Sequence, residues 1–421
     1  MPGYLVPADR SRSVDTGASS SKRPSTSLLH TEPDTRSRFA GRLSLLVENR
    51  RPVGAHATKL TAWAVGYYPV SMLAARWHGN RDVRLEDVEL DLELGRGMVE
   101  ADVRYCGICG SDVAEYAHGP FAIRLRPHAL SGQAPPVTLG HEISGRITAV
   151  GDDVAGLAPG DRVSVDACWR CGNCPACRAG RYNLCPLGGG IGLCSDGGFA
   201  SRVRFPAYAA VPLPEAVSDR AGALLEPLAV GLHALERGGA RAGDRVVVLG
   251  FGPIGATAAT LATAMGLTVL VSEPSPARRR RAEALGHRTI ALDGSPRDAA
   301  RAVRNATGGG VELVIDASGV PAALEAAPDM TVRGGTIVVV GLPKRPPEID
   351  AARLVLFERS IVGSLGYAND LPRVASLIAA GHLKPDVLIT REVGLEDVPA
   401  ELARLAADPG SDVKVLVDLG A

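Results

Sequence analysis

Residues 245–266 read RVVVLGFGPIGATAATLATAMG, and no other stretch of this chain leaves so little choice of fold. The unbroken apolar run VVVL is the pattern of a strand covered on both faces. Gly250 permits a tight turn after it. Gly252, followed by Pro253 and Ile254, lets a pyrophosphate approach the backbone, and Gly255 lets the next helix pack closely on the strand. The start of that helix offers N–H donors to phosphate oxygens. Glu273 stands 23 residues after Gly250, at the end of the next apolar strand, TVLVSE. A carboxylate there binds both ribose hydroxyls and repels a 2′-phosphate. The glycine spacing alone is a weak signal, but a strand before it and a helix after it make it a dinucleotide site. The competing reading is a tight turn with an incidental surface glutamate. Strand and helix patterns keep alternating through VELVIDASG and TIVVVGLP, which predicts an α/β fold with a doubly wound parallel sheet.

The run Arg278–Arg281 follows in the helix PARRRRAEALG. It reads mostly as a solvated helix face, with Arg278 assigned to the adenine or a phosphate of the cofactor. Glu273 favours NAD over NADP.

Upstream the pattern is β-like. MLAARWHGNRDVRLEDVELDLELGRGMVEADVRYCGIC alternates from Met72 onward, and HEISGRITAVG and DRVSVDA continue it. A helix is expected over SDRAGALLEPLAVGLHALERGG, capped by Ser218 or Asp219. After about residue 364 one more helix, LPRVASLIAAG, and short strands are expected. Residues 1–71 are rich in Ser, Arg, Thr and Pro without a sustained period, which predicts a disordered N-terminal extension.

All eight cysteines lie between Cys106 and Cys194. A disulfide scaffold suits small secreted domains, whereas this chain has 421 residues and no apolar signal segment at its start. Cys171, Cys174, Cys177 and Cys185 follow the spacing C-x2-C-x2-C-x7-C. Four soft sulfurs close a tetrahedral zinc site, and Gly172, Pro175 and Gly180 let the backbone turn around it. An iron–sulfur cluster is the rival for this spacing. Cys168 is left over as a free thiol.

A second constellation joins CGICGSD (106–112), LGHE (139–142) and LLEP (224–227). His141 alone would read as a core histidine and Glu142 alone as an ion-pair partner. Glu226 lies in the apolar stretch ALLEPLAVGL, where a carboxylate is costly unless a cation, a metal or a hydrogen-bonding network answers it. Together with Cys109 they form the mixed set of an open zinc site, which keeps three protein ligands and one free position.

From Met72 to the end, CGICGSD, GHEISGRITAVGDDV, PGDRV, CGNCPACRAGRYNLC, LLEPLAVGLHAL and GFGPIG occur in the order found in the zinc-dependent medium-chain dehydrogenase/reductase family, which this chain resembles. EYAHGP and LCSDGGFA most resemble the (R,R)-2,3-butanediol dehydrogenases, and EPLAVGLHAL also resembles the sorbitol dehydrogenases. Threonine dehydrogenases are a more distant fit. The resemblance implies a GroES-like β-rich catalytic domain at 72–228, completed by 365–421, and an inserted NAD-binding Rossmann domain at 229–364. It implies two zinc ions per subunit. The catalytic one would sit on Cys109, His141 and a glutamate, either Glu142 or Glu226, and the structural one on Cys171, Cys174, Cys177 and Cys185. It also implies hydride transfer between NAD and a secondary alcohol, such as 2,3-butanediol going to acetoin. Ser111 would take the alcohol's proton and Asp112 would orient His141.

One position departs from the family pattern. Many members carry a histidine where this chain has Ala114, so ordered water, Glu115 or His118 would have to end the proton relay. The family also implies a homodimer or homotetramer. With 46 basic and 46 acidic residues, nothing argues for nucleic acid or a membrane surface as partner. No apolar run reaches the roughly 18 residues of a membrane span, and a cytoplasmic location is expected. The alternative from another class is a non-catalytic protein that kept the fold, and the Cys109–His141–Glu142 set speaks against it.

Overall fold

The strand Arg245–Leu249 divides its side chains between two layers. Val246 and Val248 join an apolar cluster with the helices Leu225–Arg237 and Pro253–Ala264. Val247 and Leu249 join another with the helices Pro296–Thr307 and Pro321–Met330. Period-two alternation with both faces apolar therefore produces helices on both sides of the sheet. The computed structural model describes residues 71–90, 93–291 and 294–420. All but the last residue of the expected N-terminal extension lies outside them, and Ser71 opens the first strand, Ser71–Gly79.

Six parallel strands form this sheet. Across it they run Arg288–Ile290, Thr268–Ser272, Arg245–Leu249, Val311–Asp316, Thr331–Val339 and Ser360–Gly363. The order along the chain reverses beside Arg245–Leu249. Doubly wound sheets bind ligands at such a reversal, outside the carboxyl ends of the strands.

The second large sheet gathers strands from distant parts of the chain. Met98–Ile108 runs antiparallel between Glu142–Val150 and Lys414–Asp418. Its C-terminal end therefore meets the N-terminal starts of both neighbours, with Gly107 opposite Glu142 and Ile108 opposite Val415. Residues 109, 141, 142 and 414 reach one edge of the sheet by this register alone. Among the described residues, no helix is long and apolar enough to cross a membrane.

Three sequence expectations need correction. The helix expected from Ser218 onward divides into Asp219–Ala223 and Leu225–Arg237, with Ser218 Oγ accepting from Ala221 N at 3.1 Å as the cap. Among the described residues two α-helices follow residue 364, not one: Leu371–Ala379 and Val398–Ala407. The second holds itself by Val398 and Leu402, one turn apart and fully buried, too few apolar positions to stand out as periodic. Finally, Arg278, Arg279 and Arg281 are not merely solvated. Their guanidinium groups donate to the carbonyls of Gly410, of Glu273 and Pro274, and of Val387.

Candidate active site and metal centres

Cys109, His141 and Glu142 bring one donor atom each to within 4.8 Å of one another. Cys109 sits at the start of the helix Gly110–His118, directly after its strand, while Glu142 begins the neighbouring strand and His141 immediately precedes it. Asp112, fully buried, ties these pieces together. Its Oδ2 accepts from Cys109 N at 2.9 Å, and its Oδ1 accepts from Gly140 N at 3.4 Å. The same Oδ1 lies 3.4 Å from His141 Nδ1, which leaves Nε2 facing the other donors and 3.3 Å from Ser111 Oγ. Among the described residues His141 Nδ1 has no hydrogen-bond partner, so Asp112 meets the ring as an ion-pair contact, on the side from which a carboxylate orients a ligating histidine.

Glu142 is fully buried and held from one side. Lys414 Nζ donates to its Oε1 at 2.5 Å and to Ile108 O at 3.1 Å. Its Oε2 is buried with no hydrogen-bond partner among the described residues. A bare buried carboxylate oxygen is costly, and a cation among the three donors removes that cost. Gly107 makes room for it, because a Cβ there would stand 1.9 Å from Glu142 Oε2. Burial opposes charge on His141, yet Asp112 and Cys109 outweigh it and raise the imidazole well above its usual range. Surroundings that hold a proton so firmly favour any cation. A thiol, an imidazole and a carboxylate are the donors of open zinc sites, so the residues fit that ion.

Glu226, 7% exposed, lies outside this three-donor group but feels it. Burial, with Glu142 adding to it and His141 opposing, pushes its carboxyl up to about 7. The neighbouring Tyr367 hydroxyl accepts from Ala167 N at 3.1 Å.

The other donor group is Cys171, Cys174, Cys177 and Cys185, again within 4.8 Å. None of the eight cysteines is in a disulfide. Cys185 Sγ accepts from Cys171 N and Cys174 Sγ from Cys177 N, at 3.5 and 3.4 Å. The backbone N–H groups of Asn173 and Cys174 pull the Cys171 thiol down to about 6, toward the thiolate a metal needs, whereas burial pushes the Cys177 thiol up to about 12. Four sulfurs with no other donor fit a closed, structural zinc. Cys168 stands outside the group, and burial pushes its thiol well up.

At the reversal of the parallel sheet lies a cavity of about 400 Å³ lined by Gly250, Gly252, Glu273, Arg278 and Ser318 among others. Gly250 has φ 92°, a Cβ on Gly252 would meet nothing within 4 Å, and a Cβ on Gly255 would stand 1.9 Å from Gly250 O. The three glycines thus serve a left-handed turn, an open approach and a tight helix–strand contact. Glu273 accepts from Phe251 N at 2.7 Å and from Ser275 N at 2.8 Å, so its carboxylate is fixed in the pocket wall. Pro253 and Ile254 form the first turn of the helix and do not line this cavity.

Two proposed relay substitutes are in the wrong places. Both carboxylate oxygens of Glu115 accept backbone N–H bonds from the loop at Phe121, Ala122 and Ile123. His118 is exposed at the far end of its helix, and Ala114 is half-buried. Sequence reasoning missed Lys414 and Tyr367. The one available signal for the first was a lone lysine inside the apolar strand VKVLVDLG.

Comparison with known proteins agrees with these features. Residues 95–215 match the alcohol dehydrogenase GroES-like domain, and residues 253–380 match the zinc-binding dehydrogenase family. The chain is 37% identical over 350 residues to (R,R)-butanediol dehydrogenase of Bacillus subtilis, covering 82% of this chain and 99% of that protein. It is 31% identical over 353 residues to sorbitol dehydrogenase of the same organism, covering 83% and 98%. The crystal structure of 2R,3R-butanediol dehydrogenase from Bacillus subtilis superposes with a TM-score of 0.78 at 36% identity, over 83% of this chain and all of that one.

Proposed function

The chain belongs to the zinc-dependent medium-chain alcohol dehydrogenases, NAD(P)-dependent oxidoreductases, and from that premise we propose that it oxidises a vicinal diol such as 2,3-butanediol to the hydroxyketone, with NAD as hydride acceptor. The observation that carries the diol reading is Glu226. A second buried carboxylate, outside the three-donor group but close enough to feel it, can accept a hydrogen bond from a second substrate hydroxyl. The similarity to butanediol dehydrogenase supports the same choice. A larger polyol is the second reading, supported by the similarity to sorbitol dehydrogenase.

In this reading Cys109, His141 and Glu142 hold the catalytic zinc, and the four clustered cysteines hold the structural one. Bound zinc supplies a Lewis acid that lowers the substrate hydroxyl's pKa, and bound NAD supplies the acceptor for hydride. Ser111 takes the alcohol's proton at Oγ. Asp112 keeps Nε2 of His141 facing the site, and Lys414 neutralises one Glu142 oxygen so that the other is free to bind a cation. Glu226, with its carboxyl near neutrality, holds or releases a proton at working pH. With Glu115 committed to its loop and alanine at 114, the proton leaves Ser111 through water. Exposed Val355, Leu356, Leu342 and Leu365 near the outer strand Ser360–Gly363 support a homo-oligomer, and the cytoplasm is the proposed location.

The test is a substrate panel with NAD. We expect 2,3-butanediol to give the highest kcat/KM, with 2-butanol, which lacks the second hydroxyl, at least about tenfold lower. A preference for 2-butanol, sorbitol or threonine would reject the diol assignment. For the cofactor, Glu273 lines the dinucleotide pocket, and a carboxylate there makes a like-charge contact with a 2′-phosphate that disfavours NADP. Glu273→Ser should narrow an NAD preference by about tenfold or more, measured as the ratio of kcat/KM for the two cofactors. An unaltered ratio would remove Glu273 from cofactor selection.

A further inference from the structure

Six arginines from four separate segments line one cavity of about 600 Å³ that shares no lining residue with the dinucleotide pocket. Arg297, Arg301 and Arg304 form a stripe on the helix Pro296–Thr307, at positions one helical turn apart. Arg333 comes from the strand Thr331–Val339, Arg353 from the helix Ala351–Phe357, and Arg359 from the turn after that helix. Phe357 gathers three of them. The guanidinium carbons of Arg359, Arg333 and Arg353 lie 4.6, 4.7 and 6.0 Å from its ring centre.

Few carboxylates answer this charge. Asp329 pairs with Arg353 at 2.7 Å, and Asp298 pairs with Arg301 at 2.9 Å. Among the described residues, Arg297, Arg304 and Arg333 have no salt bridge. Arg359 donates to the carbonyls of Thr331 and Val332, but its Nη1 is buried without a hydrogen-bond partner. Burial, and then Arg353, Arg304 and Arg333 against the opposing Asp329, hold this guanidinium below its ordinary value. Solvated surface arginines spread apart to avoid such repulsion. These are kept together by helix register, by the Phe357 ring and by the carbonyls holding Arg359.

We propose that this cavity is a binding site for a polyphosphate group, as in an inorganic polyphosphate or a nucleoside di- or triphosphate. Planar guanidinium forks match phosphate oxygens in pairs. A single orthophosphate would answer only part of the charge and fill little of the volume. Flexible organic acids lack the dense run of oxygens that the guanidinium groups without a carboxylate partner can share.

The probe is sodium tripolyphosphate, titrated calorimetrically into the full-length protein. Binding at the dinucleotide pocket is told apart by the double variant below, whose two positions line only the arginine cavity. Orthophosphate and citrate are the comparison ligands. We expect one saturable site per chain, with tripolyphosphate binding at least about tenfold more tightly than either comparison ligand and weakening as salt rises. The double variant Arg304→Gln/Arg333→Gln should lose at least about tenfold in affinity while keeping its unfolding temperature and its turnover without the anion. Absence of saturable binding overturns the proposal, as it would if a second copy covers the cavity. Binding that survives the double substitution, or citrate binding equally well, overturns it too.

Discussion

Cys109→Ser is expected to lower kcat/KM for 2,3-butanediol by about 10³-fold or more, since Lewis-acid assistance is worth several kcal/mol and each 1.36 kcal/mol is about tenfold in rate. A thiol gives up its proton to become a metal ligand, and a serine hydroxyl does so far less readily. The rest of the site should survive. The bond from Cys109 N to Asp112 uses the backbone and survives the substitution, and a serine hydroxyl can take over the sulfur's place in the cap of the helix start. The unfolding temperature should therefore change by less than about 3 °C. Turnover within tenfold of the unaltered protein would remove Cys109 from the catalytic group.

Cys174→Ser should act in the opposite sense, on stability first. Metal affinity in a closed four-sulfur site is folding free energy, so opening it should lower the unfolding temperature by about 5 °C or more. The lobe is fastened to the segment joining the last parallel strand to the next helix. Asn183 Nδ2 donates to Leu365 O at 2.8 Å, Asn369 Nδ2 donates to Gly180 O at 2.9 Å, and Asn369 N donates to the Tyr182 hydroxyl at 2.7 Å. Arg170 lies between the Tyr182 and Tyr208 rings, at 4.0 and 4.4 Å, and pairs with Asp166. Loosening the sulfurs should therefore loosen that crossing as well. Thermal unfolding followed by circular dichroism, with zinc counted in the same samples, measures this. A variant that has lost zinc but unfolds at the original temperature would show that the lobe does not stabilise the fold.

The parts of this molecule readable from sequence are those built locally. The turn at Gly250–Gly255 and the four sulfurs of the lobe each lie within a few residues of chain, so spacing carries their geometry. The three-donor group is different. Cys109 and His141 are brought together by the register of two antiparallel strands and by Asp112, and family resemblance rather than spacing connects them in the sequence. Lys414 lies beyond that reach, 272 residues from the carboxylate it holds. The arginine run was misjudged for the same reason, because the carbonyl that receives Arg278 is 132 residues away. Glu115 looked available for a proton relay since nothing in the sequence reveals that a nearby loop folds back onto both its oxygens. Local pattern thus announces elements and turns, whereas the partners of buried charges are settled by tertiary contacts.

Zinc counted per chain, alongside NADH formation from 2,3-butanediol, tests the central assignment most directly. The two separate donor groups predict two zinc ions in the unaltered protein with active turnover, and one zinc with turnover lost in Cys109→Ser. Full turnover in protein that carries one zinc or none would contradict it.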